Sequence, residues 1–446
     1  MPIKVGMISL GCPKNQVDAE TMLARLSGAG YYITPHAGLA DVVIINTCGF
    51  IEDAKKESIE NILEMAQLKK EGTIKGIVVS GCLAQRYYEE LQKEFSEVNC
   101  VVQVGCAGSI EKAVIAANEG KQCFLKGKPE ELAFGGERIL TTLPCFAYLK
   151  IAEGCDNCCT YCVIPTLRGR FRSRPMEELV LEAESLVNRG VKELILVAQD
   201  TTRYGEDLYK SFKLPELLRK LCKIEKLKWI RLLYCYPDRI TDELIEVITT
   251  EEKIQKYIDM PIQHVNDRIV RDMNRHMYKP EIIALINKLR EKVPGITLRT
   301  TVIVGFPGET EAEFEELAEF VKEIRFERLG AFAYSCEEGT IAAAMEGQLE
   351  EKEKLHRQEN IMNEQFTIMD AYNNLKIGEK IEVMNEGFDR HADCYFGRSS
   401  GDAPDIDGKI FFTSEKKLKI GDFVNVKIDE VLDCDLFGQV IGRSES

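Results

Sequence analysis

No stretch of this sequence approaches the roughly 18 consecutive apolar residues that a membrane-spanning helix needs. The amino-terminal MPIKVGMISLGCPKN has too short an apolar run for a secretory signal and no small-residue cleavage site. Positive charge is also in short supply: 58 Lys+Arg against 73 Asp+Glu leave a net charge of −15. A surface that holds phosphates non-specifically needs the opposite balance, which argues against a large nucleic-acid face and suits a basic partner. There is no repeat of solenoid period, no low-complexity tract and no heptad pattern. Histidine is scarce, and His36, His264, His276, His356 and His391 show no metal-ligand spacing, although His264 near a strand end is placed to face a cavity. The default expectation is a cytoplasmic protein with no membrane contact.

What the chain does have is length and cysteine. Its 446 residues suggest about three domains at roughly 150 residues each. With 45% hydrophobic and 29% charged residues it can bury ordinary globular cores. Sixteen cysteines are many for a compartment where disulfides are rare, so metal or redox chemistry competes with plain packing. Most of them, including Cys100, Cys106, Cys123, Cys145, Cys222, Cys235, Cys336, Cys394 and Cys434, lack any grouped pattern and are expected to pack.

Short β-branched runs at 3–10, 42–46 and 77–80 alternate with helical patterns at 17–29 and 51–70, which implies a parallel α/β sheet over residues 1–120. From 118 to 140 glycine and lysine recur and the pattern reads as a linker. A second alternation follows within 141–372, with candidate strands at 148–152, 193–198, 229–233, 257–260, 297–304 and 329–334. Six such units fall short of a closed eight-fold barrel, so an open or partial (βα)6 barrel is expected. Residues 350–372 read as one long helix. Over 373–446 short strands alternate with Gly/Asp turns, as in a small antiparallel β-barrel.

Two groups of cysteines break the packing expectation. Cys155, Cys159 and Cys162 sit in GCDNCCTYC, directly after the first strand of the second domain. Three thiolates at C-x3-C-x2-C can hold three irons of a [4Fe–4S] cluster and leave the fourth iron open. A zinc site or a structural cluster is the alternative, since Cys158 offers a fourth local thiol. Cys12, Cys48 and Cys82 each lie just past the end of a predicted strand and beside a glycine. Strand ends of a parallel sheet share one edge, so these three can converge on a second cluster with an open iron. A buried thiol after each strand is the plainer reading.

The three-cysteine spacing, Tyr161 before its last member and the following βα pattern resemble the radical S-adenosylmethionine superfamily. That resemblance implies a cofactor chelated by the open iron and cleaved by electron transfer to release a 5′-deoxyadenosyl radical. The pairing of both triads with a small carboxy-terminal β-domain resembles the methylthiotransferase family over essentially the whole chain, with a TRAM-type barrel last. The family resemblance implies two [4Fe–4S] clusters and S-adenosyl-L-methionine: the cluster on Cys155, Cys159 and Cys162 generates the radical, and that on Cys12, Cys48 and Cys82 holds the sulfur or methylthio group to be inserted. One cofactor molecule would give the methyl group and another the radical. No catalytic side chain beyond the cluster ligands is expected.

SLGCPKNQVDAE at 9–20, AQDTTRYGEDLY at 198–209, RLLYCYP at 231–237 and DAPDIDG at 402–408 resemble the branch of that family that modifies protein. The substrate so implied is an aspartate β-carbon in the twelfth small-subunit ribosomal protein, free or in the assembled subunit, with an electron donor and a sulfur source as further partners. Residues 373–446 carry 10 Lys+Arg and 15 Asp+Glu, whereas an RNA-binding barrel should be basic, so RNA binding is not expected to dominate. A tRNA adenosine methylthiotransferase and a non-catalytic iron–sulfur scaffold remain as alternatives. For the cofactor, the expected contacts are Gln199 at a strand end beside Asp200, Arg299 on an inner strand, and Gly305 and Gly308 in GFPGET, where backbone can approach closely. Of Arg168, Arg170, Arg172 and Arg174, most are expected to serve surface and internal ion pairs.

Overall fold

The computed structural model describes residues 2–443. The first sheet holds β1 (Lys4–Ser9), β2 (Tyr32–Thr34), β3 (Val42–Thr47), β4 (Gly76–Gly81), β5 (Cys100–Val102) and β6 (Cys123–Leu125). All neighbours are parallel, in the order β2-β1-β3-β4-β5-β6. β3 and β4 are buried at every residue, which is why VVIINT and GIVVSG show no polar alternation. The chain leaves β1 toward β2 on one side and returns to β3 on the other, so the β1/β3 boundary is a switch point, where ligands of open α/β sheets bind. The stretch 118–140, expected as a linker, instead carries β6, which pairs with β5 and takes this sheet past residue 120.

The second sheet is also parallel. It comprises β7 (Phe146–Lys150), β10 (Glu193–Val197), β11 (Trp229–Leu232), β12 (Ile254–Asp259), β13 (Thr297–Val304) and β14 (Arg328–Ala333), in the order β14-β13-β12-β11-β10-β7. Its two edge strands do not pair, so the barrel is open. A two-stranded ribbon, β8 (Ala152–Glu153) against β9 (Arg172–Ser173), ties off the cysteine loop between them. The Glu351–Asn374 helix covers the β14 edge, where Gln358 donates to the Ala331 carbonyl (2.9 Å) and Gln365 to that of Phe326 (3.0 Å). Covering an edge removes a template for aggregation.

The carboxy-terminal unit is a closed five-stranded barrel of β15 (Lys380–Asp389), β16 (Cys394–Arg398), β17 (Ile410–Thr413), β18 (Phe423–Leu432) and β19 (Asp435–Arg443). Its pairings are antiparallel except β17 with β19, which is parallel. It seals the lower mouth of the open barrel. Arg398 meets buried Glu193 (2.7 Å), Arg328 meets Asp402 (2.7 Å), and Trp229 stacks edge-on against Phe423 (4.9 Å). Met384, Ala403 and Val17, from two different units, share one core with Tyr148, Val197 and Tyr257. The opposite, carboxyl-end edge of the second sheet is left to the first domain. Among the described residues no helix is long and apolar enough to cross a membrane.

Candidate active site

The first cysteine triad is assembled by tertiary structure. Cys12 follows β1 and opens the Pro13–Gly28 helix, with proline at a position whose missing N–H costs nothing. Cys48 follows β3, and Ser58 grips it twice: the Cys48 N–H donates to Ser58 Oγ (3.1 Å) and that hydroxyl donates to the Cys48 carbonyl (2.9 Å). Cys82 follows β4 at the start of the short Cys82–Arg86 helix. Gly11 has φ +83°, and a Cβ there would lie 2.9 Å from Cys48 Sγ. A Cβ at Gly81, φ +91°, would lie closer still to the Thr47 carbonyl. These glycines let three strand ends meet.

The second triad is local. Gly154 at φ +78° turns the chain out of β8, and the Cys155 N–H donates to the Gly169 carbonyl (3.1 Å). Asp200, fully buried, accepts from Asn157 Nδ2 (2.9 Å) and Arg239 (2.9 Å), so it holds the loop between the first two ligands. Asn274 donates to the carbonyls of Asn157 and Cys158. Cys158 itself is exposed at φ +50°.

Both donor sets fit an iron–sulfur cluster. After burial, the nearness of Cys82 and Cys12 raises Cys48, and that of Cys159 and Cys155 raises Cys162. Three thiols at each site are the donor chemistry that an iron–sulfur cluster with one open iron takes. Burial first, then neighbouring thiols, pushes Cys48 up to about 12, and burial pushes Cys155 up to about 12 and Cys162 upward. Iron must therefore displace protons to bind, as thiolate metal sites generally demand.

Arg168 joins the two sites. It lies six residues past Cys162 and is buried. Its Nε donates to Cys82 Sγ (3.3 Å), its Nη2 to Asn15 Oδ1 (3.0 Å), and its Nη1 to Asp18 (2.5 Å) and Glu153 (3.3 Å). Lys150 pairs with the same two carboxylates, at 2.8 Å to Glu153. Burial opposes the Glu153 charge, but Lys150 and Arg168 prevail and hold its carboxyl at about 2. Lys14 crosses from the first domain to the second sheet's carboxyl edge, its Nζ 3.5 Å over the Tyr234 ring. No spacing in the sequence identifies Arg168 as the residue that touches the distant Cys82.

The expected cofactor contacts fare unevenly. Gln199 donates to Glu153 (2.7 Å), and its buried Oε1 has no partner, which leaves an acceptor free beside the second triad. Arg299 instead finds carboxylates inside the protein, Asp259 at 3.1 Å and Asp407 at 3.5 Å, the latter from the carboxy-terminal barrel. Gly305, at φ +72°, is approached by the Lys354 stem and donates its N–H to Glu309 (2.7 Å), while Gly308 donates to the Gly347 carbonyl (2.8 Å). Their close contacts are with the chain itself. His264 is fully buried, with its Nε2 3.1 Å from Glu309. Arg170, Arg172 and Arg174 make ion pairs or bond backbone carbonyls.

Comparison with known proteins follows the same three-part division. Residues 4–103 match the Uncharacterized protein family UPF0004, 149–321 the Radical SAM superfamily and 377–441 the TRAM domain. A relative from Thermoanaerobacter sp. (strain X514), named ribosomal protein uS12 methylthiotransferase RimO, is 51% identical over 98% of this chain and 99% of its own. Relatives of the same name from Caldanaerobacter subterraneus subsp. tengcongensis and Clostridioides difficile are 53% and 46% identical, each over 98% of this chain and 99% of theirs. Among solved structures, the radical S-adenosylmethionine methyltransferase TsrM from Kitasatospora setae, with cobalamin and a [4Fe-4S] cluster bound, has TM-score 0.55 at 14% identity over 75% of both chains. The cobalamin-dependent S-adenosylmethionine radical enzyme OxsB has TM-score 0.51 at 11% identity, over 82% of this chain and 58% of that one. At such identities the likeness concerns fold alone.

Proposed function

The chain belongs to the RimO family of methylthiotransferases, and from that premise we propose that it thiomethylates the β-carbon of an aspartate in ribosomal protein uS12. The observation that carries the reading is that the segment just past Cys162 packs on the other triad: Val163 and Leu167 share a core with Cys82, and Arg168 Nε lies 3.3 Å from Cys82 Sγ. The aspartate β C–H is not acidic enough for a side-chain base, so the reaction needs hydrogen-atom abstraction, which a [4Fe–4S] cluster and S-adenosylmethionine supply when bound.

Cys155, Cys159 and Cys162 would hold the radical-generating cluster, and Cys12, Cys48 and Cys82 the cluster that carries the sulfur. The free Gln199 Oε1 offers an acceptor for the cofactor's amino group. The Asp18, Lys150, Glu153 and Arg168 network ties the helix after Cys12 to the strand and loop that carry the second triad. An acidic carboxy-terminal barrel, net −5 over 373–446, suits a basic ribosomal protein, which also puts the work in the cytoplasm.

The test is anaerobic incubation of the reconstituted, reduced protein with S-adenosylmethionine and either free uS12 or the small subunit, followed by mass spectrometry. A methylthio group on one aspartate and free 5′-deoxyadenosine are expected. Modification of tRNA with uS12 untouched would move the substrate to adenosine. Iron without any cofactor cleavage would leave a scaffold.

A further inference from the structure

Arg275 is a buried cation with no carboxylate. It is 5% exposed, and among the described residues it makes no ion pair within 4 Å. Its Nη2 donates to the Pro261 carbonyl (2.6 Å), and the guanidinium also lies within hydrogen-bonding reach of Cys159. The guanidinium lies 4.0 Å over the ring of Tyr236, and the Tyr236 hydroxyl is 3.0 Å from Cys159 Sγ. The tyrosine is held from behind, its N–H donating to Thr202 Oγ1 (3.0 Å), and that hydroxyl donates to Asp200 (2.7 Å). The groups that act on Arg275 are Tyr236, Tyr161 and Cys159. Buried charges are ordinarily paired, because desolvating a lone one costs several kcal/mol. Of these three neighbours, only the cysteine becomes an anion when iron binds.

We propose that Tyr236 and Arg275 form the outer shell of the radical-generating cluster, the hydroxyl donating to the Cys159 sulfur and the guanidinium balancing its charge, and that together they make this cluster easier to reduce. The inference rests on the cluster reading of Cys155, Cys159 and Cys162. Its physics is general. Reduction adds one negative charge to the cluster, and both hydrogen bonds to its sulfurs and a nearby cation favour the more negative state. Arg168 at the other triad is a different case, because Asp18 and Glu153 already neutralise it. Lys14, two residues past Cys12, is a buried cation on the side of the other triad, so the two clusters each have a cation near them and Arg275 is the one that faces the radical site. Tyr236 and Arg275 are positioning residues here, and the reduction potential is the quantity they move.

The experiment is a redox titration followed by electron paramagnetic resonance on full-length, anaerobically reconstituted protein. It compares wild type with Tyr236→Phe, Arg275→Met and Arg275→Lys. Repeating it with Cys12, Cys48 and Cys82 all changed to Ala assigns the signals. At fixed potential the reduced-to-oxidised ratio should fall at least tenfold in Arg275→Met, which is about 59 mV for one electron. Tyr236→Phe should shift it less in the same direction, and Arg275→Lys should restore most of it. The other cluster should not move. Full iron with unmoved potentials in both Tyr236→Phe and Arg275→Met overturns the inference. If Arg275→Met takes up no iron at this triad, Tyr236→Phe, which removes one oxygen, decides alone. No iron at this triad in wild type would sink the cluster reading itself, and this inference with it.

Discussion

Cys155, Cys159 and Cys162 reach their places within one loop, tied off by β8 and β9, whereas Cys12, Cys48 and Cys82 meet only because β1, β3 and β4 are neighbours in a sheet. The local triad needs one turn of chain and a few side-chain props, Asp200, Asn157 and Asn274 among them. The assembled triad needs a folded domain, two glycines without room for a Cβ, and an arginine from the other domain. Local ligands are cheap in ordering entropy, while distant ones are held only by the fold's own stability. The two sites should therefore fail differently under the same insult.

The largest expected effect separates them by ligand removal. Cys159→Ala and Cys48→Ala should each lower iron from about eight to about four atoms per chain. Cys159→Ala should abolish release of 5′-deoxyadenosine. Cys48→Ala should keep that release and lose methylthiolation. In wild type, rising urea should strip the assembled triad first, read as a half-loss of iron before the global unfolding transition. Simultaneous loss of all iron would break the comparison.

Arg168→Met should come next. It removes the one guanidinium shared by buried Glu153 and Cys82 and half-buried Asp18. Removing one partner of a buried pair costs about 3–5 kcal/mol. Urea unfolding of the iron-loaded protein should show a loss of that size, and the iron that remains should belong to the local triad.

What the sequence disclosed follows the same division. β3, β4, β7, β10 and β11 were legible because each is buried at every residue, and β1, β12, β13 and β14 because their apolar residues still cluster between turn signals. β2, β5 and β6 were not, being three residues long, and β16 (CYFGR) hides its strand behind a glycine and an arginine. The local triad is written as a spacing. The assembled one is legible only through the habit of parallel sheets to gather their strand ends. Arg168 and Arg275 were not legible, because their partners lie far off in sequence or belong to a turn with no motif. The partners of Arg299 were hidden for the same reason: its second carboxylate, Asp407, arrives from another domain. Gly305 was legible for its backbone freedom, and the Lys354 stem that lies against it could not be read from spacing.

A smaller effect should come from Gly11→Ala. Alanine at φ +83° costs about 1–2 kcal/mol, and its Cβ would lie 2.9 Å from Cys48 Sγ. Gly30→Ala is the control, since Gly30 has φ +89° with nothing within 4 Å of an added Cβ. Both variants should lose similar global stability by thermal melt. Only Gly11→Ala should also lose iron from the assembled triad. Equal iron in the two would mean that the contact with Cys48 is tolerated.

The smallest effect on either cluster should come from the carboxy-terminal barrel, whose docking charges lie at the far mouth of the second sheet. Asp402 is fully buried. Burial raises its pKa, and Arg328, Lys376 and Ser399 more than offset this, holding it at about 2 against an ordinary 3.8. A carboxyl depressed on folding adds stability that is complete above about pH 4 and is lost as pH falls toward 2, because the unfolded chain takes up the proton first. The depression corresponds to about 2 kcal/mol. Asp402→Asn should therefore destabilise the barrel's docking at pH 7 by at least that much and flatten the wild type's loss of stability between pH 4 and 2. Hydrogen exchange should quicken at β12, β13 and the 399–407 loop. Iron should stay at its wild-type value, because neither triad has a ligand, a glycine or a charge partner in this barrel. A loss of iron here would mean that the assembled triad's stability is drawn from all three units rather than two.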